Sequence, residues 1–94
     1  MITPTIGRVV WFHMSGETKD SRADFVTHSE QPHTALIVHV WGDNCVNLTV
    51  FDHNGVPFQF TSVTLLQDDE TPNGAGMWAE WMPFQKGQAA LLSK

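Results

Sequence analysis

Ninety-four residues with 41% hydrophobic content make one domain, residues 1–94, too apolar to stay disordered and near the lower size limit for folding without staples. A single cysteine, Cys45, excludes an intramolecular disulfide and any zinc site built on a cysteine pair, which fits a reducing compartment. The net charge is −5 and the five basic residues, Arg8, Lys19, Arg22, Lys86 and Lys94, are scattered, which excludes the run of phosphate contacts that duplex binding needs.

The opening residues, MITPTIGRVV, lack the basic start and apolar core of a secretory signal. No apolar run reaches the roughly 18 residues that span a bilayer. A soluble, cytoplasmic protein with no membrane partner is expected.

Residues 7–14, GRVVWFHM, are β-branched and aromatic and predict a strand. Val9, Trp11 and His13 share one face; Arg8, Val10, Phe12 and Met14 share the other. Residues 15–21 read as a loop. Residues 22–28, RADFVTH, suit a short strand or a helical turn, and Pro32 breaks the chain after them.

Residues 34–41, TALIVHVW, form a near-continuous apolar run, the pattern of a strand buried on both faces. The tripeptide GDN then predicts a tight turn. In residues 45–52, Val46, Leu48 and Val50 alternate with Asn47, Thr49 and Phe51. HNG at 53–55 predicts a hairpin turn, because Asn-Gly tolerates the positive φ angles that such turns demand. The return strand follows, with Val56, Phe58 and Phe60 on one face. Pro57 cannot donate to a ladder, so the start of that strand belongs at an edge or bulge.

Residues 67–76, QDDETPNGAG, predict a long acidic loop. MWAEWMPF follows, and the tail, residues 85–94, is weakly helical and prone to fray. About five strands at spacings near ten residues predict an all-β fold. We expect a small, partly open barrel, SH3-like or OB-like, with meander hairpins. An open barrel leaves edges, through which a homo-oligomer could pair.

No catalytic signature is present. His13, His28, His33, His39 and His53 include no HExxH and no pair three or four apart, so no metal site is expected. His39, mid-strand among apolar neighbours, reads as a core histidine. No serine stands in a nucleophile elbow, and Cys45 could pair with His39 only if the hairpin aligned them. Asp68, Asp69 and Glu70 read as a solvated run. No Walker loop, no GxGxxG and no cofactor site are found. The chain does not read as an enzyme.

What remains is a binding argument. Arg8 and Arg22 are the only arginines, and arginine suits a carboxylate or phosphate. Trp41, Trp78 and Trp81 could stack on a flat ring. Together these five form the candidate ligand site, for a nucleotide-like small molecule. Trp78 and Trp81 raise a question of parity. On a strand they point to opposite faces, one for the fold and one for a partner.

Three stretches together resemble a known group: TPTIGRVVWF, ALIVHVWGDNCVNLTVFDHNGVPFQFTSV and the late MWAEW. The resemblance is to a family of small, mostly uncharacterised proteins of tailed phages and prophages. Its members start with a T-x-G-R strand, carry a V-N-L-x-V-F-x-x-x-G hairpin and close with W-x-W-P. Here the tryptophans are three apart rather than two, and Pro83 comes two residues after Trp81, which leaves the last strand's register open. The resemblance implies a phage accessory protein in the host bacterial cytoplasm. It would bind a small molecule, such as a nucleotide immune signal held as a counter-defence sponge, or a host protein. The alternative it implies is a virion structural or assembly protein.

Overall fold

The computed structural model describes residues 1–14, 24–72, 74 and 76–92. Five strands, β1 (Val9–Met14), β2 (His33–Gly42), β3 (Cys45–Phe51), β4 (Pro57–Leu66) and β5 (Met77–Glu80), precede one helix, α1 (Pro83–Leu92). The strands close into a barrel in the order β1-β2-β3-β4-β5. The all-β barrel is as expected, but it is closed rather than partly open. Its order is a plain meander as far as β4, unlike the Greek-key path of an OB barrel.

Closure depends on β5. It pairs antiparallel with β1, Trp11 opposite Glu80 and Met14 opposite Met77. On its other side it lies parallel to β4, over Leu65 and Leu66 alone. A parallel neighbour cannot be reached by a tight hairpin. Residues 67–76 supply the longer connection, which accounts for the acidic loop at that point. Closure also changes the premise for edge-to-edge pairing of two copies, since β5 ties β4 to β1 where an open barrel would leave both edges bare.

Side-chain alternation sets the core. Val10, Phe12 and Met14 of β1 and Val46, Leu48 and Val50 of β3 point inward, as their spacing predicts. β2 departs from the reading, and β4 carries an irregularity that the sequence does not show. β2 is not buried on both faces: Ala35 and Ile37 are enclosed, while Val38, His39 and Trp41 face water. A single-layer barrel wall has nothing packed on its outside, so an apolar run there gains no second buried face. His39 is therefore a surface histidine, and the buried one is His33.

In β4, Phe60 points inward and so do Val63 and Leu65, which an unbroken two-residue period forbids. A bulge resets the phase: Val46 pairs with Val63, whereas Leu48 pairs with Phe60, so Asn47 meets two residues. Ser62 there adopts φ 54°, and its N–H donates to Asn47 Oδ1 at 2.7 Å. β2 is also irregular opposite Asn47, between Ile37 and His39.

Residues 24–28 are neither strand nor helix. This stretch instead drops Phe25 into the barrel mouth, against Phe58 at 5.1 Å and edge-on to His33 at 4.7 Å between ring centroids. A latch holds it there. Asp52, 4% exposed, accepts the Asn54 and Val56 amides at 2.9 Å each on Oδ1 and the Val26 amide at 3.2 Å on Oδ2. Only Gly55 of the Asn-Gly pair takes a positive φ, +88°, so the turn is a longer loop organised by Asp52. Around it, His53 stacks on His33 at 4.0 Å, and its Nδ1 accepts the His28 amide at 2.8 Å.

Burial alone would raise the Asp52 pKa, but hydrogen bonding from backbone amides, those of Val56, Val26 and Asn54 foremost, outweighs it and holds the carboxyl below its ordinary value. A carboxylate depressed in the folded state stabilises above its unfolded pKa, and that contribution is lost as pH falls through the folded value. Acid should therefore loosen the protein below about pH 4. Asp52→Asn puts an amide donor where an acceptor is required. It is expected to lower the melting temperature by several degrees at pH 7 and to flatten its dependence on pH between about 5 and 3, as read by thermal denaturation followed by circular dichroism.

Candidate functional site

The opposite end of the barrel is closed by side chains from distant parts of the chain. Gln67, directly after β4, is 4% exposed and uses every hydrogen-bonding position of its amide. Its Oε1 accepts from the Ile2 amide at 3.1 Å and from Trp81 Nε1 at 3.2 Å. Its Nε2 donates to Ile2 O at 2.8 Å and Asp43 O at 2.9 Å. One glutamine thus joins the N-terminal segment, the β2–β3 turn and Trp81. The acidic loop beside it is more than a solvated run, because Glu70 Oε1 accepts from the Gln67 backbone N–H and from Asn44 Nδ2, each at 2.6 Å.

Trp81 follows β5 in the inward phase of Met77 and Ala79, and it is 1% exposed. The parity question is thereby answered: Trp81 belongs to the core, and Trp78 lies on the outer wall. Over Trp81 sits Arg8, its guanidinium carbon 5.3 Å from the ring centroid. The Arg8 backbone is fixed by β2, with its carbonyl accepting the Ile37 amide at 2.9 Å. Gly7, at φ +94°, permits the backbone turn just before it. The Arg8 side chain is exposed and meets no carboxylate among the described residues.

α1 lies beside this end. Pro83 occupies its first turn, where a missing N–H costs nothing. Gln85 anchors it, accepting the Met82 amide on Oε1 and donating from Nε2 to Val9 O, each at 2.8 Å. Two adjoining clefts open between helix, barrel and N-terminal segment, and both are bordered by Met1, Ile2 and Ala89. One, about 440 Å³, is flanked by Asp68, Asp69 and Lys86. The other, about 330 Å³, is flanked by Arg8, Phe84 and Gln88.

The five candidate residues do not converge. Arg8 and Trp81 meet at this end of the barrel. Trp78 stacks instead on His13, ring centroids 5.3 Å apart and 12° from parallel. Glu80 Oε2 comes within 2.6 Å of His13 Nε2, but off the axis a hydrogen bond needs, so this is an ion pair only when His13 is protonated. Trp41 is exposed near the end of β2, its Nε1 donating to Asn47 Oδ1 at 2.9 Å and its ring edge-on to His39. Arg22 lies outside the described residues. Cys45 is opposite Gly42 while His39 is opposite Asn47, so the hairpin does not align the thiol with that imidazole.

Gln67, Phe84 and Gln88 were not singled out from the sequence. Nothing local marks Gln67 as buried, and the weakly helical tail gave no reason to bring Phe84 or Gln88 beside Arg8. Among the described residues, no group of three or more His, Cys, Asp and Glu could hold a metal ion, and no helix is long and apolar enough to cross a membrane. Compared with protein-family models, curated proteins and solved structures, the chain shows no significant match.

The different placement of the two tryptophans has an energetic consequence. Trp81→Ala is expected to cost about 3–5 kcal/mol, by loss of packing and by leaving Gln67 short of a donor. A domain of this size has on the order of 5–10 kcal/mol in total, so the variant should be largely unfolded in mild denaturant. Trp78→Ala should cost about 0.5–1.5 kcal/mol, the worth of one aromatic pair. Urea unfolding followed by fluorescence and circular dichroism measures both.

Proposed function

We propose that this chain is a binding protein without catalysis, whose small anionic ligand docks on Arg8 at the end of the barrel closed by Gln67 and Trp81. The observation that carries the reading is the unpaired guanidinium. Arg8 is held over Trp81, its backbone is fixed by β2, it meets no carboxylate among the described residues, and it borders a cleft of about 330 Å³. That volume lies in the range of sites for small molecules, about 300–1,000 Å³. A guanidinium kept in place before binding loses little freedom when an oxyanion arrives.

The role of Trp81 in this reading differs from that expected. The ring is enclosed, so it serves as a platform for Arg8 and does not stack on the ligand. The resemblance to tailed-phage proteins supplies the setting: an accessory protein in the host bacterial cytoplasm that sequesters a nucleotide signal of the host defence. Sequestration needs no catalytic group, which agrees with a sequence that carries no catalytic signature.

Isothermal titration with a panel of cyclic nucleotides, ADP-ribose-derived nucleotides and nucleoside monophosphates tests the reading. Binding by at least one is expected, with a Kd that weakens as salt rises. Arg8→Ala should weaken it by about tenfold or more, the scale of a charge-assisted hydrogen bond. Heat from none of the panel would remove the proposal.

A further inference from the structure

We infer that the cleft beside Arg8 takes a planar, ring-bearing phosphate monoester, in chemical class a nucleoside monophosphate, with its ring on Phe84 and its polar edge on Gln88. The inference rests on the reading of Arg8 as the anion anchor and assigns the rest of the ligand. Phe84 and Gln88 stand four residues apart on α1, so they share one face of the helix. Both border the cleft that Arg8 borders.

The nearest other ring and the nearest other side-chain amide, Trp81 and Gln85, are already committed. Trp81 is enclosed, and its Nε1 donates to Gln67. Gln85 spends its Oε1 on the Met82 amide and its Nε2 on Val9 O. Phe84 is 74% exposed, so its ring face is open toward the cleft it borders. The Gln88 amide has no hydrogen-bond partner among the described residues, so it can offer both a donor and an acceptor to a ring edge. A cation, an exposed aromatic face and a bifunctional amide around about 330 Å³ match a phosphate, a flat ring and the polar edge of that ring.

The charge around the site sets the length of the phosphate. The adjoining cleft sets Asp68 and Asp69 against Lys86 and the Met1 ammonium, which pairs with Asp68 at 2.9 Å. It therefore adds no net cation for a second or third phosphate. Arg8 alone matches one phosphate.

The test compares the four common ribonucleoside 5′-monophosphates with ribose 5-phosphate, by isothermal titration on the full chain. At least one nucleotide should bind about tenfold tighter than ribose 5-phosphate, the scale of one base–aromatic stack. Phe84→Ala should remove that advantage and leave ribose 5-phosphate binding unchanged. Gln88→Ala should change the ranking among the four bases. Both side chains are exposed, and unchanged circular dichroism spectra would show that the variants remain folded. If ribose 5-phosphate binds and Arg8→Ala abolishes it, but no base adds affinity, Arg8 stays the anchor and the ring site is overturned. A Phe84→Ala variant that keeps the nucleotide advantage overturns the ring site as well. Binding by none of these probes overturns the anchor together with the ring site.

Discussion

The hydrogen bond between Gln67 and Trp81 lies where the two halves of this chain must be joined. Up to Leu66 the molecule is a four-strand meander, and such a sheet does not close by itself. β5 closes it, but only two of its residues pair with β4. Two ladder pairs are a weak fastening for the last strand. The indole just beyond β5 adds the burial of a whole tryptophan, and the amide just beyond β4 receives its N–H. Because the same amide also holds Ile2 and Asp43, loss of this pair would loosen the N-terminal segment, the β2–β3 turn and the barrel seam together.

The two ends of the barrel are closed by different physics. At one end Phe25 enters the mouth and Asp52 secures it, a charged acceptor satisfied by three backbone amides around a histidine stack. At the other end the closing groups are neutral: an amide and an indole. Among the described residues, this second end leaves a guanidinium without a carboxylate beside an open cleft. The end that is latched by charge is thus set by its own internal bonds, while the neutral end keeps a charge available to a ligand.

How far the fold was legible depended on whether its causes were local. β1 and β3 were readable because a period of two is written directly in VVWFHM and CVNLTVF. β2 was misread because an apolar run does not say that one face of a barrel wall meets water, and the inward phase of β4 beyond Phe60 was not readable at all. Asn47 faces irregular pairing in both neighbours, and a bulge shifts the inward phase without any change in hydrophobicity. Ser62, which takes the positive φ, gives no warning as a glycine would. The Asp52 latch was hidden for a different reason. Its partner Val26 is 26 residues away, and the Asn-Gly beside it offered a sufficient local explanation of the turn.

The site was half legible for the same reason. The three-residue spacing of Trp78 and Trp81 implied opposite faces, and the faces are opposite. Which one was the core depended on Gln67, and a buried glutamine looks like any other. Arg8 was a candidate by scarcity of arginine alone; its platform lies 73 residues further along the chain, at Trp81, and no pattern links them. Charge completes the picture and limits it. A chain with net charge −5 and five scattered basic residues offers an extended polyanion little favourable charge over a Debye length of about 8–10 Å. A single small oxyanion is different, because one guanidinium with no carboxylate partner among the described residues outweighs, at close range, a diffuse and screened field. The same composition that disfavours a duplex is therefore compatible with one phosphate at one arginine, and that asymmetry keeps the proposed ligand small.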